Sequence, residues 1–309
     1  MTESDLKPAQ EEPWFSGKPG TVLLYRINRR PMPEQSLFDV EPPPNVLDHV
    51  AEVLLFGEEV ETGRKNKRHW ILGNRNIDEQ NGTLAGQIGW ESRGIESTGR
   101  YDSSRREWVD DLDQRARAAR APFVFESDGR TLAILKHPSF SESTLSEVFK
   151  ALLQRGENRR GFHTTDWDVE PIGDTGSFRE WLSNADVVNQ VQFVAKRPNP
   201  DGLDEFGQVW ERMNQHKASL LREIMEAADP EVGLVDLEGD QVVNGYLAMS
   251  EHAFGYVTAR GTRDGRLTRF DQRSAVARRQ TEPLPSSWTE AVGVITALAR
   301  QVWRQRHDS

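Results

Sequence analysis

Apolar positions along the chain switch repeatedly between a strand-like and a helix-like period. Residues 21–28, TVLLYRIN, form an apolar, β-branched run that predicts a buried strand. Pro42-Pro43-Pro44 follow, and three consecutive prolines cannot be helical. Asn45 then offers an N-cap with Asp48 at the third helical position. From there Val46, Leu47, Val50, Val53 and Leu54 recur at helical spacing. Residues 69–72, 83–90 and 122–126 read as strands, with Asn81-Gly82 and Asp128-Gly129 as hairpin signals. Charges at nearly every other position over residues 110–121 predict a short exposed helix.

The second half alternates elements more regularly. Thr144 and Glu147 match a capping box opening a helix with Leu145, Val148, Phe149, Leu152 and Leu153 on one face. A strand over 167–172, a short helix over 178–182 and a strand over 187–195 follow. The longest helical stripe runs over 203–228, through Phe206, Val209, Trp210, Met213, Leu220, Leu221 and Ile224, with Pro230 beyond it. Asp264-Gly265 marks another hairpin. Ser287 and Glu290 form a second capping box, and Trp288, Val292, Ile295, Leu298, Val302 and Trp303 would line the buried face of a last helix.

This order predicts an α+β fold: ferredoxin-like α/β sandwich elements, a mixed or antiparallel sheet, and a long amphipathic helix. A doubly wound parallel sheet is the alternative. The expected organisation is a disordered leader over 1–20, a β-rich region over 21–120 and an α+β region over 121–309. The last two could equally form one continuous domain.

Composition narrows the chemistry. The 309 residues contain no cysteine, which excludes disulfides, a thiolate nucleophile, a Cys-based zinc site and iron–sulfur clusters. The first 19 residues are polar where a signal peptide needs an apolar run, and no stretch approaches a membrane span. A cytoplasmic protein with no membrane partner is expected. Net charge is -10, against the grain of a non-specific nucleic-acid binder. The distribution is uneven, however. Residues 1–62 hold twelve acidic and five basic side chains, whereas 254–279 hold seven arginines against Asp264 and Asp271. A local anion-binding face is therefore compatible with an acidic chain.

No Gly-rich phosphate loop, nucleophile elbow or paired-histidine zinc motif occurs, and the seven histidines have no ligand spacing. No cofactor is expected, and the catalytic residues of any enzyme reading are not identified. Asp166 and Asp168 would project from one face of a strand, as two-metal phosphoryl-transfer sites often begin, though solvated charges at a strand start read as well.

Two basic clusters carry the binding expectation. If Asp264-Gly265 is a two-residue turn, Arg263 faces Arg266 and Arg260 faces Arg269. Like charges directly across a ladder destabilise it unless an anion joins them. Nucleic-acid phosphates are one such anion, and the acidic first 62 residues are another. The second cluster, Arg64-Lys65-Asn66-Lys67-Arg68, runs into His69-Trp70, a pattern that serves phosphate contact plus base stacking or simply a solvated loop.

Lys196-Arg197-Pro198-Asn199-Pro200-Asp201, the segment Gly255-Tyr256-Val257-Thr258-Ala259-Arg260-Gly261, and Asp264-Gly265-Arg266 resemble an uncharacterised bacterial family found in phage-defence and mobile-element neighbourhoods. The resemblance covers residues 120–280. It implies a setting in antiviral defence and carries over no catalytic residue. The expected function is a binding component of such a system that recognises nucleic acid (RNA or DNA) or a partner protein through the basic hairpin. Arg260, Arg263, Arg266, Arg269, Lys65, Lys67 and Arg68 are the candidate contacts. A metal-dependent nuclease or other hydrolase, and a scaffold subunit without ligand, are the alternatives.

Overall fold

The computed structural model describes residues 13–31, 41–57, 59–63, 67–92, 118–162, 165–173, 175–197, 207–274 and 276–307, and the backbone of 96–102 and 107–113. In chain order the elements begin β1 (Pro19–Pro31), α1 (Val46–Phe56), β2 (Glu59–Thr62), β3 (Arg68–Asp78), β4 (Thr83–Ser92), β5 (Glu96–Asp102) and β6 (Glu107–Asp113). They continue β7 (Ala118–Glu126), β8 (Thr131–Leu135), α2 (Glu142–Arg160), β9 (Thr165–Pro171), α3 (Thr175–Asn184), β10 (Val187–Lys196) and α4 (Gly207–Gln215). Last come β11 (Leu220–Glu226), α5 (Gln241–Glu251), β12 (Gly255–Arg263), β13 (Arg266–Asp271), β14 (Arg278–Pro283) and α6 (Trp288–His307).

β1 organises the larger sheet, ordered β14-β1-β8-β7-β4-β3-β2. One edge of β1 pairs with β8, while β14 and then β9 pair with successive parts of the other edge. Its alternation explains why the sequence shows a continuous apolar run: both faces are covered. Leu23, Tyr25 and Ile27 pack with α1 and α2, and Val22 and Leu24 pack with α6. α1 crosses α2 closely because Gly156 has no side chain; a Cβ there would lie 1.8 Å from the Val53 carbonyl oxygen. Asn45 caps α1 as expected, accepting from the Leu47 amide at 2.8 Å.

The second sheet is antiparallel, ordered β11-β10-β12-β13. α3, α4 and α5 cover one of its faces. Phe178, Val209, Met213, Tyr246 and Leu247 from the helices meet Val191, Phe193, Val257, Ala259 and Phe270 from the strands. The α+β class and antiparallel sheets thus stand, with helix-on-sheet sandwiches in both halves.

Several expectations are corrected. The stripe over 203–228 is not one helix. α4 stops at Gln215, Lys217 takes a positive φ of 49°, and the chain turns into β11. The segment LLREIME has apolar residues at spacings that suit either period, so tertiary pairing with β10 decided its state. The long amphipathic helix is α6 instead. Ile295 and Val302 are buried as expected, Ala291 and Ala299 complete the buried face, and Trp288, Val292 and Leu298 flank it partly buried.

Residues 110–113 end β6 and 118–121 begin β7 where a helix was expected, 114–117 lying outside the described residues, because β7 fills the place between β4 and β8. α2 begins at Glu142 with Ser141 at its cap, ahead of the capping box placed at Thr144. The boundary expected near residue 120 falls inside β7, so the two regions share a sheet. Trp14 and Phe15, assigned to a loose leader, pack against the fold, with Phe15 buried and the Trp14 indole donating to the Arg120 carbonyl at 2.9 Å.

Candidate nucleic-acid interface

β12 and β13 are joined by Asp264 and Gly265 at φ 51° and 69°, the two positive values a two-residue type I′ hairpin turn requires. The register is the one the turn predicts: Arg260 faces Arg269 and Arg263 faces Arg266. The turn is anchored by the Asp264 amide, which donates to Asp186 at 2.6 Å. All four arginines are exposed, and none has an ion pair or side-chain hydrogen bond among the described residues.

One part of the expectation changes. The two pairs do not stack on one surface, because positions three apart on a strand point to opposite faces. Thr268 and Phe270 face the helices, with Thr268 accepting from the Trp181 indole of α3 at 3.2 Å. Arg263 and Arg266 share that side at the hairpin tip. Arg260 and Arg269 lie on the other face of the sheet, which no helix covers.

That face also carries Leu220, Arg222, Ile224 and Glu226 of β11, Gln190 and Gln192 of β10, and Leu267 of β13, while its Val194 and Lys196 end is covered, Val194 being buried and Lys196 reaching Asp168 and Glu170 of β9. Leu220 is 42% exposed, Ile224 52% and Leu267 83%, so three large apolar side chains stand among the arginines. The sequence does not mark Ile224 as a surface residue because its spacing fits the apolar stripe of a helix over 203–228, and Arg222 lies between the stripe positions.

In the second basic cluster, the two described residues, Lys67 and Arg68, both have partners within the chain. Lys65 lies outside the described residues. Lys67 pairs with Glu61 at 2.9 Å, and the Arg68 guanidinium sits 4.3 Å over the Trp90 ring while donating to the Ser139 carbonyl. Trp70 is buried, with its indole donating to Thr62 at 2.9 Å, and so cannot stack on a base as expected. The scaffold alternative placed the hairpin against the acidic first 62 residues. Of those acids, Glu52, Glu59 and Glu61 pair with Arg160, His69 and Lys67, and residues 1–12, 32–40 and 58, which hold seven of the twelve, lie outside the described residues.

Asp166 and Asp168 do share a face of β9, together with Glu170, but they meet cations. Asp168 is contacted by Lys196 at 2.6 Å, Arg30 at 2.8 Å and Lys150 at 3.2 Å, and Arg30 also reaches Asp166 at 3.3 Å. Lys196 additionally bonds Glu170. Burial pushes the Asp168 carboxyl up, yet Lys196, Arg30 and Lys150 together outweigh it and hold it below the ordinary range. Burial dominates at Glu170 and raises it. Burial opposes the Lys196 charge, but the two carboxylates more than compensate and raise its pKa. A carboxylate engaged by three cations leaves little room for a divalent ion. This cluster ties β10 of the second sheet to β9 of the first. Beside it lies a cleft of about 690 Å³ whose charges, Lys136, Glu142, Glu147, Lys150, Asp271 and Arg273 among them, are of both signs. Among the described residues no helix is long and apolar enough to cross a membrane.

The pattern of a family described as a domain of unknown function, DUF4747, matches residues 58–299. The chain belongs to this family. The match runs from the segment entering β2 into α6, so the DUF4747 region includes the second sheet with the whole basic hairpin and the larger sheet apart from β1. No curated protein matches the chain.

Proposed function

We propose that this DUF4747 protein is a binding component that recognises nucleic acid through the β12–β13 hairpin. The observation that carries the reading is the pair of arginine pairs held in register with no intramolecular anion among the described residues. Such an arrangement costs folding free energy through like-charge repulsion, and phosphates would remove that cost. The clusters that do have internal partners, around Lys67 and around Asp168, show what satisfied charge looks like in this chain. Among the described residues the hairpin lacks it. A role within a bacterial antiviral defence system belongs to the same proposal and rests on the resemblance of residues 196–201 and 255–266.

The test is a titration of labelled RNA and DNA oligonucleotides against the full chain at several salt concentrations. Wild type should bind with an affinity that falls steeply as salt rises. An Arg260→Ala, Arg269→Ala variant should bind more weakly and with a shallower salt dependence. Absence of binding to any nucleic acid would refute the reading and leave an acidic partner protein as what the arginines meet.

A further inference from the structure

Resting on that reading, we infer that the nucleic acid is single-stranded and lies across the helix-free face of the second sheet, from Arg260 and Arg269 past Gln190 and Gln192 to Arg222. Three observations converge. The face is covered by no helix, all of α3, α4 and α5 being on its other side. Its free cations are spread rather than clustered. Arg222 pairs across to Val194, which pairs to Tyr256, four residues before Arg260. With strands about 4.8 Å apart and residues about 3.3 Å apart, Arg222 and Arg260 stand about 16 Å from each other. Arg222, like the hairpin arginines, has no partner among the described residues.

The third observation decides between strand states. Between and beside these cations the face presents Ile224 and Leu267, 52% and 83% exposed, where a soluble surface would otherwise carry polar groups. A duplex offers a flat surface little but phosphate and sugar, its bases being stacked inside. Unpaired bases have apolar faces that can lie on such side chains while the backbone reaches the arginines. RNA and DNA share this chemistry. A 2′-hydroxyl contact would distinguish them, so both are tested.

The experiment measures affinity of the full chain for a single-stranded RNA, a single-stranded DNA of the same sequence, and the corresponding duplexes. It compares wild type with Arg222→Ala and Ile224→Ser. Wild type should prefer a single strand by about tenfold or more, and either substitution should weaken single-strand binding by about fivefold. Both side chains are exposed, so the melting temperature should not move. If Ile224→Ser does unfold the protein, Leu267→Ser on the outer strand carries the same test. Equal affinity for duplex, or single-strand affinity indifferent to these substitutions while Arg260→Ala, Arg269→Ala still weakens binding, overturns this inference and leaves the hairpin reading standing. No binding of any nucleic acid removes both.

Discussion

Arg260 of β12 and Arg269 of β13 face each other across the ladder, and no carboxylate among the described residues pairs with either. Directly opposed like charges on neighbouring strands destabilise a sheet by a few tenths to about 1 kcal/mol. Arg269→Thr should therefore raise stability by about that amount, read from urea unfolding, while lowering nucleic-acid affinity. The combination of a more stable and less active variant separates a binding surface from a structural network. A destabilised Arg269→Thr protein would mean the guanidinium holds the fold together.

The turn from α4 into β11 sets a second expectation. Met213 is fully buried beneath the second sheet, whereas Leu220 is 42% exposed on its helix-free face. Met213→Ala should cost about 2–5 kcal/mol, the range for truncation in a packed core. Leu220→Ala should cost less than about 1 kcal/mol. Thermal melts of the two variants check the difference, and a large loss at Leu220 would place it in a core after all.

Legibility in the sequence followed how much local signal each element carried. α1 was readable because Pro44, Asn45 and the 3.6-residue stripe agree, and the β12–β13 hairpin because Asp264-Gly265 admits few turn types. β11 was not, since its apolar residues fit both periods and only pairing with β10 settles them. The hairpin arginines were found from spacing, yet their division between two faces needed the strand period applied to positions 260 and 263. The links from Lys196 to Asp168 and Glu170 join residues 28 and 26 positions apart on two different sheets. No sequence pattern brings those groups together.

Those links predict a pH dependence. Asp168 is held below its ordinary pKa of 3.8, so its contribution to stability is present above that value and is lost as pH falls through the lower folded value. Asp168→Asn should cost about 3 kcal/mol at neutral pH, near the low end for a broken buried pair because Asp166 and Glu170 remain for the cations. The gap between variant and wild type should narrow below pH 4 in urea unfolding followed across pH. A gap independent of pH would assign the loss to packing instead of charge.

The core holds one more polar group whose role can be separated from packing. His49 and Glu157 are both fully buried, joined at 2.8 Å between Nε2 and Oε2, and the same oxygen accepts from the Trp167 indole at 3.0 Å. The Arg29 guanidinium, which can only donate, lies 3.4 Å from His49 Nδ1. Nδ1 therefore accepts, and Nε2 carries the proton given to Glu157. The second oxygen of Glu157, Oε1, has no protein partner among the described residues. Glu157→Gln keeps an acceptor for both donors, provided the amide oxygen takes the Oε2 place, and should cost less than about 1 kcal/mol. His49→Phe fills the space but removes one of the two donors to a buried carboxyl, for which about 1–3 kcal/mol is expected. Combining the two substitutions should cost less than their sum, since the amide needs the lost donor less than the acid does. Chemical denaturation of the three variants measures the cycle. Strict additivity would mean that His49 serves α1 by shape alone, through its edge contacts with Phe162 and Trp167.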